Sequence, residues 1–155
     1  MRVRVIAVGT RISSWARGAC AEYLQRLRGG LTVELTEIEA PARRGSGAAR
    51  AVAREGERLL AALAPRDFVV TLDERGRQLT TSGLAGWLGA RMQQGEDLAF
   101  LIGGADGLAP AVLARSNLSL ALSKLTLPHA LARVLLCEQL YRAHCILVNH
   151  PYHRE

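Results

Sequence analysis

Four short stretches of this sequence combine residue types that could hold a ligand or carry out chemistry. Three of them, residues 70–73, 101–107 and 122–129, follow apolar runs and between them supply glycine, hydroxyl, charged and imidazole groups. The fourth is the C-terminus, 149–155, which reads Asn-His-Pro-Tyr-His-Arg-Glu. Chain ends are usually frayed and chemically simple. This composition therefore indicates a functional tail.

The stretch 101–107 is the one most typical of ligand binding. It reads Leu-Ile-Gly-Gly-Ala-Asp-Gly, with three glycines in five positions directly after a buried strand. Glycines permit positive φ angles and let backbone N–H groups approach a ligand closely. Because open α/β sheets bind ligands beyond the carboxyl ends of their strands, we expect the three strand-end loops to form a site.

The common enzyme motifs do not match. The turn is Gly-Gly-x-x-Gly and no acidic residue closes a strand at the expected distance, so nicotinamide binding is weakly supported. The sequence has no P-loop, no Gly-x-Ser-x-Gly elbow and no His-Glu-x-x-His. Histidines and cysteines near the C-terminus could suggest zinc. However, Cys137 and Cys145 are eight apart in a helical stretch, without a Cys-x-x-Cys pair, so we expect no metal.

Length and composition indicate one soluble domain. The 155 residues are 49% hydrophobic and 22% charged, which excludes disorder for the bulk of the chain. No run reaches the roughly 18 apolar residues of a membrane span, and the charged N-terminus does not resemble a signal peptide. Three cysteines, an odd number, lie in apolar helical contexts and favour reduced thiols in the cytoplasm.

The charge balance favours a nucleic-acid partner. The formal net charge is +6, and every basic residue except Lys124 is arginine, whose planar fork binds phosphate in two places. A GC-rich genome would also enrich arginine, so charge alone does not decide. The basic loop 41–47 is interpreted as a solvated connection, with a mobile arm that touches phosphates as the less favoured alternative.

Apolar periodicity alternates between strand-like and helix-like segments. Strands are predicted at 2–8, 31–38, 68–72, 97–102 and 118–122, and helices at 14–27, 48–63, 82–94, 110–115 and 128–144. Ser13 is expected to cap the first helix, while Trp15 and Tyr23 are expected to face the core. The alternation predicts an α/β fold, a single domain over 1–155 with a parallel-rich sheet flanked by helices.

The loops and the tail together closely resemble one known family. The matching segments run from end to end: Val5-x-Ala7-Val8-Gly9-Thr10, Glu22-Tyr23-Leu24, Glu55-Gly56-Glu57, Thr71-Leu72-Asp73, Leu101-Ile102-Gly103-Gly104-x-x-Gly107, Leu122-Ser123-x-Leu125-Thr126-Leu127-Pro128-His129, Arg133-Val134-Leu135, Glu138-Gln139-Leu140-Tyr141-Arg142-Ala143 and the tail. In this order and at this length, they resemble the RlmH family of SPOUT-class ribosomal RNA methyltransferases.

The resemblance implies a fold and a function. It implies a C-terminal trefoil knot, over about residues 68–155, which is a rare exception to the rule against knotted chains. It also implies S-adenosyl-L-methionine as cofactor and a homodimer whose site is completed by the partner subunit. The reaction would be methylation of N3 of a pseudouridine in 23S (large-subunit) rRNA, on the assembled 70S ribosome.

The same match implies the cofactor-binding residues. These are Leu72, Gly103, Gly104, Leu122, Ser123, Lys124, Leu125, Thr126 and Leu127. Lys124 lies at a variable position of its loop, so its side chain is given no catalytic role. Ala105 and Asp106 stand where relatives often carry Pro and Glu, a mild departure that retains the acidic character.

Catalysis is expected to involve the tail and the last helix. Arg142 and Arg154 are candidates to stabilise negative charge on the uracil carbonyls. His153 is the first candidate for the general base and His129 the second, because a base should titrate near the working pH. Tyr152 could stack on the target base. We expect Tyr152, His153 and Arg154 to act on the cofactor of the other protomer.

Structural alternatives exist for several of these residues. His129 begins a helix and could simply hold its loop. Glu138 and Arg142 are four apart, a spacing typical of a salt bridge on one helix face. At the level of the whole protein, the alternatives are a non-enzymatic ribosome- or RNA-binding protein on the same fold and a nucleotide-dependent oxidoreductase.

Overall fold

A computed structural model describes residues 1–42 and 47–154. Its elements, in chain order, are β1 (Arg2–Val8), α1 (Ser14–Arg26), β2 (Thr32–Ile38), α2 (Ala48–Ala61), β3 (Phe68–Gln78), α3 (Thr81–Gln93), β4 (Leu98–Ile102), α4 (Pro110–Arg115), β5 (Leu118–Ala121), α5 (His129–Leu147) and a final 3-10 helix (Pro151–Arg154). Most of the basic loop predicted at 41–47 lies outside the described residues.

The five strands form one parallel sheet with the order β2-β1-β4-β3-β5. Helices α1, α3 and α5 cover one face, and α2 and α4 cover the other. The central strand β4 is buried along its whole length, as expected for a parallel strand with helices on both sides. The predicted α/β architecture is confirmed.

The residues of β4 divide the core into two layers. Leu98, Phe100 and Ile102 pack toward α3 and α5, whereas Ala99 and Leu101 pack toward α2 and α4. This follows from the period of two in a strand, which sends successive side chains to opposite faces. In the described part of the chain, no helix is long and apolar enough to span a bilayer.

Strand β3 is longer than the sequence predicts and contains a bulge of four residues. Both Leu72 and Arg77 are in register with Leu120 of β5, so residues 73–76 leave the ladder between them. Gly76 permits this close passage, because a Cβ there would lie 2.7 Å from the Leu120 backbone. Residues 73–76 contain no apolar side chain. No alternation of apolar and polar residues therefore indicates that the strand continues beyond them.

Helix α1 differs from its prediction in the face that it buries. Ser13 occupies the N-cap position, but its side chain makes no capping hydrogen bond, and the buried residues are Ala16 and Cys20. Trp15 is 57% exposed, so its predicted place in the core is wrong. Tyr23 does pack inward, with its ring centroid 6.1 Å from that of Tyr141.

Candidate active site

A cavity of about 530 Å³ opens where the bulge of β3 meets the carboxyl ends of β4 and β5. Eight of the nine residues predicted to bind a cofactor line it: Leu72, Gly103, Gly104, Leu122, Ser123, Leu125, Thr126 and Leu127. Lys124 is exposed and is not part of the lining. The structure therefore brings the three strand-end loops together around a single space.

The glycine turn after β4 closes on its own backbone. Gly104 and Gly107 form an isolated antiparallel bridge, and the Gly107 N–H donates to the Gly104 carbonyl over 3.1 Å. Gly107 has a φ of +85°, and a Cβ at Gly103 would lie 2.6 Å from the Gly107 carbonyl oxygen. The turn itself therefore requires glycine at 103, before any ligand is considered.

A buried carboxylate supports this turn from behind. Glu55, on α2, is only 4% exposed, and a Cβ at Gly104 would overlap its carboxylate. The next residue, Gly56, allows α2 to approach α4, since a Cβ there would lie 2.6 Å from the Ala109 Cβ. Sequence reasoning noted this Glu-Gly pair but gave it no role in the site.

The β3 bulge adds two charged residues, Glu74 and Arg75, that the sequence did not predict in the site. They line the cavity together with Asp73 and Asp106, which lie in two of the predicted loops. The Asp73 carboxylate accepts from the Arg75 backbone N–H over 2.8 Å, and this hydrogen bond is the main cause that lowers the pKa of Asp73. The Thr126 hydroxyl donates to Glu74 over 3.4 Å.

His129 is the only one of the five predicted catalytic residues that lines this cavity in the described chain. It is the first residue of α5, and Pro128 takes the N-cap position just before it. Burial lowers the pKa of the imidazole, the charge of Arg133 adds to this effect, and a hydrogen bond with the Gly104 backbone opposes it. The lowered pKa favours the neutral imidazole, and its Nδ1 has no hydrogen-bond partner among the described residues.

Arg133, one turn further along α5, anchors the helix to the sheet. The residue is 0% exposed, and its guanidinium donates to the carbonyls of Val8 and Gly9, each over 2.7 Å. It also donates to Glu37 over 2.9 Å. The sequence analysis gave Arg133 no role, and the only available signal was a single arginine inside an otherwise apolar stretch.

The tail folds back onto α5 and away from the cavity of its own chain. The Tyr152 ring lies 4.7 Å from the Tyr141 ring and beneath the Arg142 guanidinium, also at 4.7 Å. The Tyr152 hydroxyl donates to Glu138 over 3.1 Å, and Arg142 Nε donates to the same oxygen over 2.8 Å. The predicted Glu138–Arg142 salt bridge is confirmed.

None of the four remaining catalytic candidates lines the cavity within the described chain. Arg142 and Tyr152 are held in the cluster around Glu138, and burial is the main cause that raises the pKa of the Tyr152 phenol. His153 Nδ1 contacts the His150 carbonyl, and Arg154 is exposed. Among the described residues no three His, Cys, Asp or Glu side chains are grouped so that they could hold a metal ion.

A parallel sheet with a glycine-turn cavity beside the carboxyl ends of its strands defines the chain as an α/β protein, and such proteins typically bind their ligands at that edge of the sheet. Residues 1–153 match the family described as "Predicted SPOUT methyltransferase". The chain belongs to this family of methyltransferases.

Its relatives are similar over their whole length. The chain is 52% identical, over 100% of both sequences, to a protein of Thiobacillus denitrificans named "Ribosomal RNA large subunit methyltransferase H". It is 50% identical, over 99% of both, to a protein of Burkholderia mallei with the same name. A crystal structure of a putative methylase family protein from Neisseria gonorrhoeae shares the fold, with a TM-score of 0.51 and 18% identity over 90% of this chain and 81% of that one.

Proposed function

We propose that this protein transfers a methyl group from S-adenosyl-L-methionine to N3 of a pseudouridine in 23S rRNA. The substrate would be the assembled 70S ribosome, and the enzyme would accordingly act in the cytoplasm. The observation that carries the proposal is full-length identity of about half to relatives named as methyltransferases of large-subunit ribosomal RNA. The proposed trefoil knot over about 68–155 belongs to the same inference, since the chain is a SPOUT family member.

The chemistry of the cavity lining supports this cofactor. Its volume of about 530 Å³ falls in the range of small-molecule sites. Apolar side chains such as Leu72 and Leu127 lie beside the carboxylates of Asp73, Glu74 and Asp106. Carboxylates accept hydrogen bonds from ribose hydroxyls and attract a cationic ligand. When bound, S-adenosyl-L-methionine would supply an electrophilic methyl group.

The protein's own part in the reaction is to orient the base and to accept its N3 proton. The nucleophile must be held within roughly 3–3.5 Å of the methyl carbon. Arg142 and Arg154 would stabilise charge on the uracil carbonyls, and Tyr152 would position the ring by stacking. His153 is the first candidate to accept the N3 proton, and His129, whose lowered pKa favours the neutral imidazole, is the second.

A homodimer would bring these groups to the cofactor. The tail lies on α5, apart from its own chain's cavity, so it would serve the cavity of the partner. Large exposed apolar side chains on α1 and on α5 and its end supply a surface for a second copy: Trp15, Leu131, Leu147 and Val148. Removing such side chains from water is the main favourable term in association.

Mass mapping of rRNA tests the proposed activity directly. Ribosomes from a strain that lacks the gene are expected to lose one methyl group on a pseudouridine of 23S rRNA. The purified protein with S-adenosyl-L-methionine should restore it to those ribosomes. An unchanged modification map would reject the proposal. Calorimetry that shows binding of a nicotinamide cofactor, and none of S-adenosyl-L-methionine, would favour an oxidoreductase instead.

A further inference from the structure

Helix α2 carries a row of three arginines on its solvent side. Arg50, Arg54 and Arg58 are all exposed and follow one another at a spacing of four, which corresponds to about 6 Å along the helix axis. We call these three residues the arginine stripe. The buried side of the helix consists of Ala51, Glu55, Gly56 and Leu59.

Arg50 and Arg54, the first two residues of the arginine stripe, do not stabilise their helix. Like charges four residues apart repel each other. Arg50 lies in the first turn, which contains no acidic residue, and a cation there opposes the helix dipole. Within the described residues, Arg50 and Arg54 make no hydrogen bond or ion pair, whereas Arg58 donates to the carbonyl of Glu39.

Some other arginines of this chain are paired: Arg17 with Glu37 and Arg26 with Glu22. Others, such as Arg66 and Arg77, are exposed without a partner among the described residues. Arg50 and Arg54 differ from these single residues because they lie one turn apart on the same side of one helix. Two guanidinium groups without partners among the described residues can therefore face one linear partner outside the chain.

The position of α2 links the arginine stripe to the candidate active site. Glu55 follows Arg54 directly, and its carboxylate packs against Gly104 in the turn that lines the cavity. The arginine stripe thus lies about one helix diameter, roughly 10 Å, behind the glycine turn. It also lies on the opposite face of the sheet from α1 and α5, so the proposed dimer would leave it accessible.

We infer that the arginine stripe binds successive phosphates of the ribosomal RNA strand that flanks the target nucleotide. The inference rests on the proposed function. Arginine forks bind phosphate bidentately, and a linear row of them suits a linear polyanion. The arginine stripe would add affinity and register without reading sequence, which is the usual role of phosphate contacts.

The test uses Arg50→Gln/Arg54→Gln and 70S ribosomes from a strain that lacks the methylation. We expect KM for ribosomes to rise about tenfold, with kcat within about twofold and S-adenosyl-L-methionine affinity unchanged. The slope of log affinity for naked 23S rRNA against log salt should fall by about one per arginine. The melting temperature should not fall, since the variant removes a repulsion.

Two matched variants test whether the effect depends on the positions in the arginine stripe and on positive charge at those positions. Arg66→Gln removes an exposed charge just before β3, at the amino end of that strand and away from the cavity, and should leave KM unchanged. Arg50→Lys/Arg54→Lys keeps the charge and should recover most of the affinity. An unchanged KM in the glutamine double variant, or an equal loss in Arg66→Gln, would overturn the inference.

Two further outcomes are informative. If ribosome binding weakened while binding to naked 23S rRNA did not change, the partner would be a ribosomal protein, and the inference would be wrong. If the wild-type enzyme did not methylate the ribosomes, the proposed function itself would be rejected. An active enzyme with an unaffected double variant would reject the arginine stripe alone.

Discussion

The carboxylate of Glu55 packs so closely against Gly104 that a Cβ at position 104 would overlap it. Gly104→Ala must therefore displace either the turn or the buried carboxylate. We expect a loss of about 1–3 kcal/mol in the free energy of unfolding, as in other overpacked sites, together with weaker S-adenosyl-L-methionine binding. Urea unfolding and calorimetry measure the two effects.

A second glycine provides the control for that substitution. Gly86 lies in α3 with nothing within 4 Å of an added Cβ, so Gly86→Ala should stabilise the protein by up to about 1 kcal/mol through helix propensity. Its affinity for the cofactor should not change. Equal behaviour of the two alanine variants would show that the contact with Glu55 does not constrain the turn.

Arg133 and Arg17 share one partner, Glu37, but at very different depths. Arg133 is fully buried, while the Arg17 side chain is 55% exposed. We expect Arg133→Met to cost at least about 3 kcal/mol, because it breaks a buried pair and leaves carbonyls without donors. Arg17→Met should cost no more than about 1 kcal/mol. Urea unfolding of both variants measures these losses in the free energy of unfolding. Similar losses in the two variants would contradict the conclusion that Arg133 anchors α5 to the sheet.

The strands and the three loops of the cavity follow from the sequence, whereas the β3 bulge and the position of Trp15 do not. Apolar alternation was enough to predict the strands, and the loops at residues 72, 103 and 122–127 do meet. The β3 bulge could not be predicted, because its polar residues have no periodicity and only Gly76 indicates the close passage. Trp15 was misplaced because a shift of one residue moves a side chain by about 100° around a helix.

The tail shows a different limit. Its residue types indicated function, but one sequence does not say which cavity the tail serves. The structure of one chain places Tyr152 against Tyr141 and Glu138 of α5, a position fixed by a tilted contact between the two rings and by the hydrogen bond from the Tyr152 hydroxyl to Glu138. The partner's role is a property of two chains, so it stays a prediction until an experiment addresses the dimer.

His129 should make the stability of the protein depend on pH in a defined direction. Burial lowers its pKa in the folded state, whereas the unfolded chain keeps a value near 6.5. The unfolded state therefore binds more protons between these two pKa values, and stability falls as the pH falls. Its contribution is complete above about pH 6.5 and is lost on acidification through the folded pKa.

Comparison with His129→Gln isolates this effect, because the other histidines remain in both proteins. Unfolding free energies measured by urea between about pH 5 and 8 should decline more steeply on acidification for the unmodified protein. The difference between the two curves should be constant above neutrality. Parallel curves over the whole interval would mean that the imidazole is solvated and does not titrate abnormally.

Substitutions in the tail should separate turnover from cofactor binding. His153 and Arg154 do not line the cavity of their own chain, so His153→Ala and Arg154→Ala should leave S-adenosyl-L-methionine affinity within a few-fold. Turnover should fall by roughly two orders of magnitude or more, the usual contribution of a positioned acid–base group. Full rRNA methylation by both variants would exclude a catalytic role for the tail.

A mixed dimer tests whether the tail acts across the subunit boundary. Gly103→Val should abolish cofactor binding, because even its Cβ would lie 2.6 Å from the Gly107 carbonyl and the turn could not close. His153→Ala leaves the cavity intact.

Co-expression with two different affinity tags isolates dimers that carry one copy of each variant. In such a dimer the intact tail of the Gly103→Val protomer faces the intact cavity of the other, so about half of the normal activity should return. Both parent homodimers should be inactive. If each tail served its own chain, every site would contain one defect and the mixed dimer would stay inactive. Sedimentation of the protein as a monomer would exclude the shared site outright.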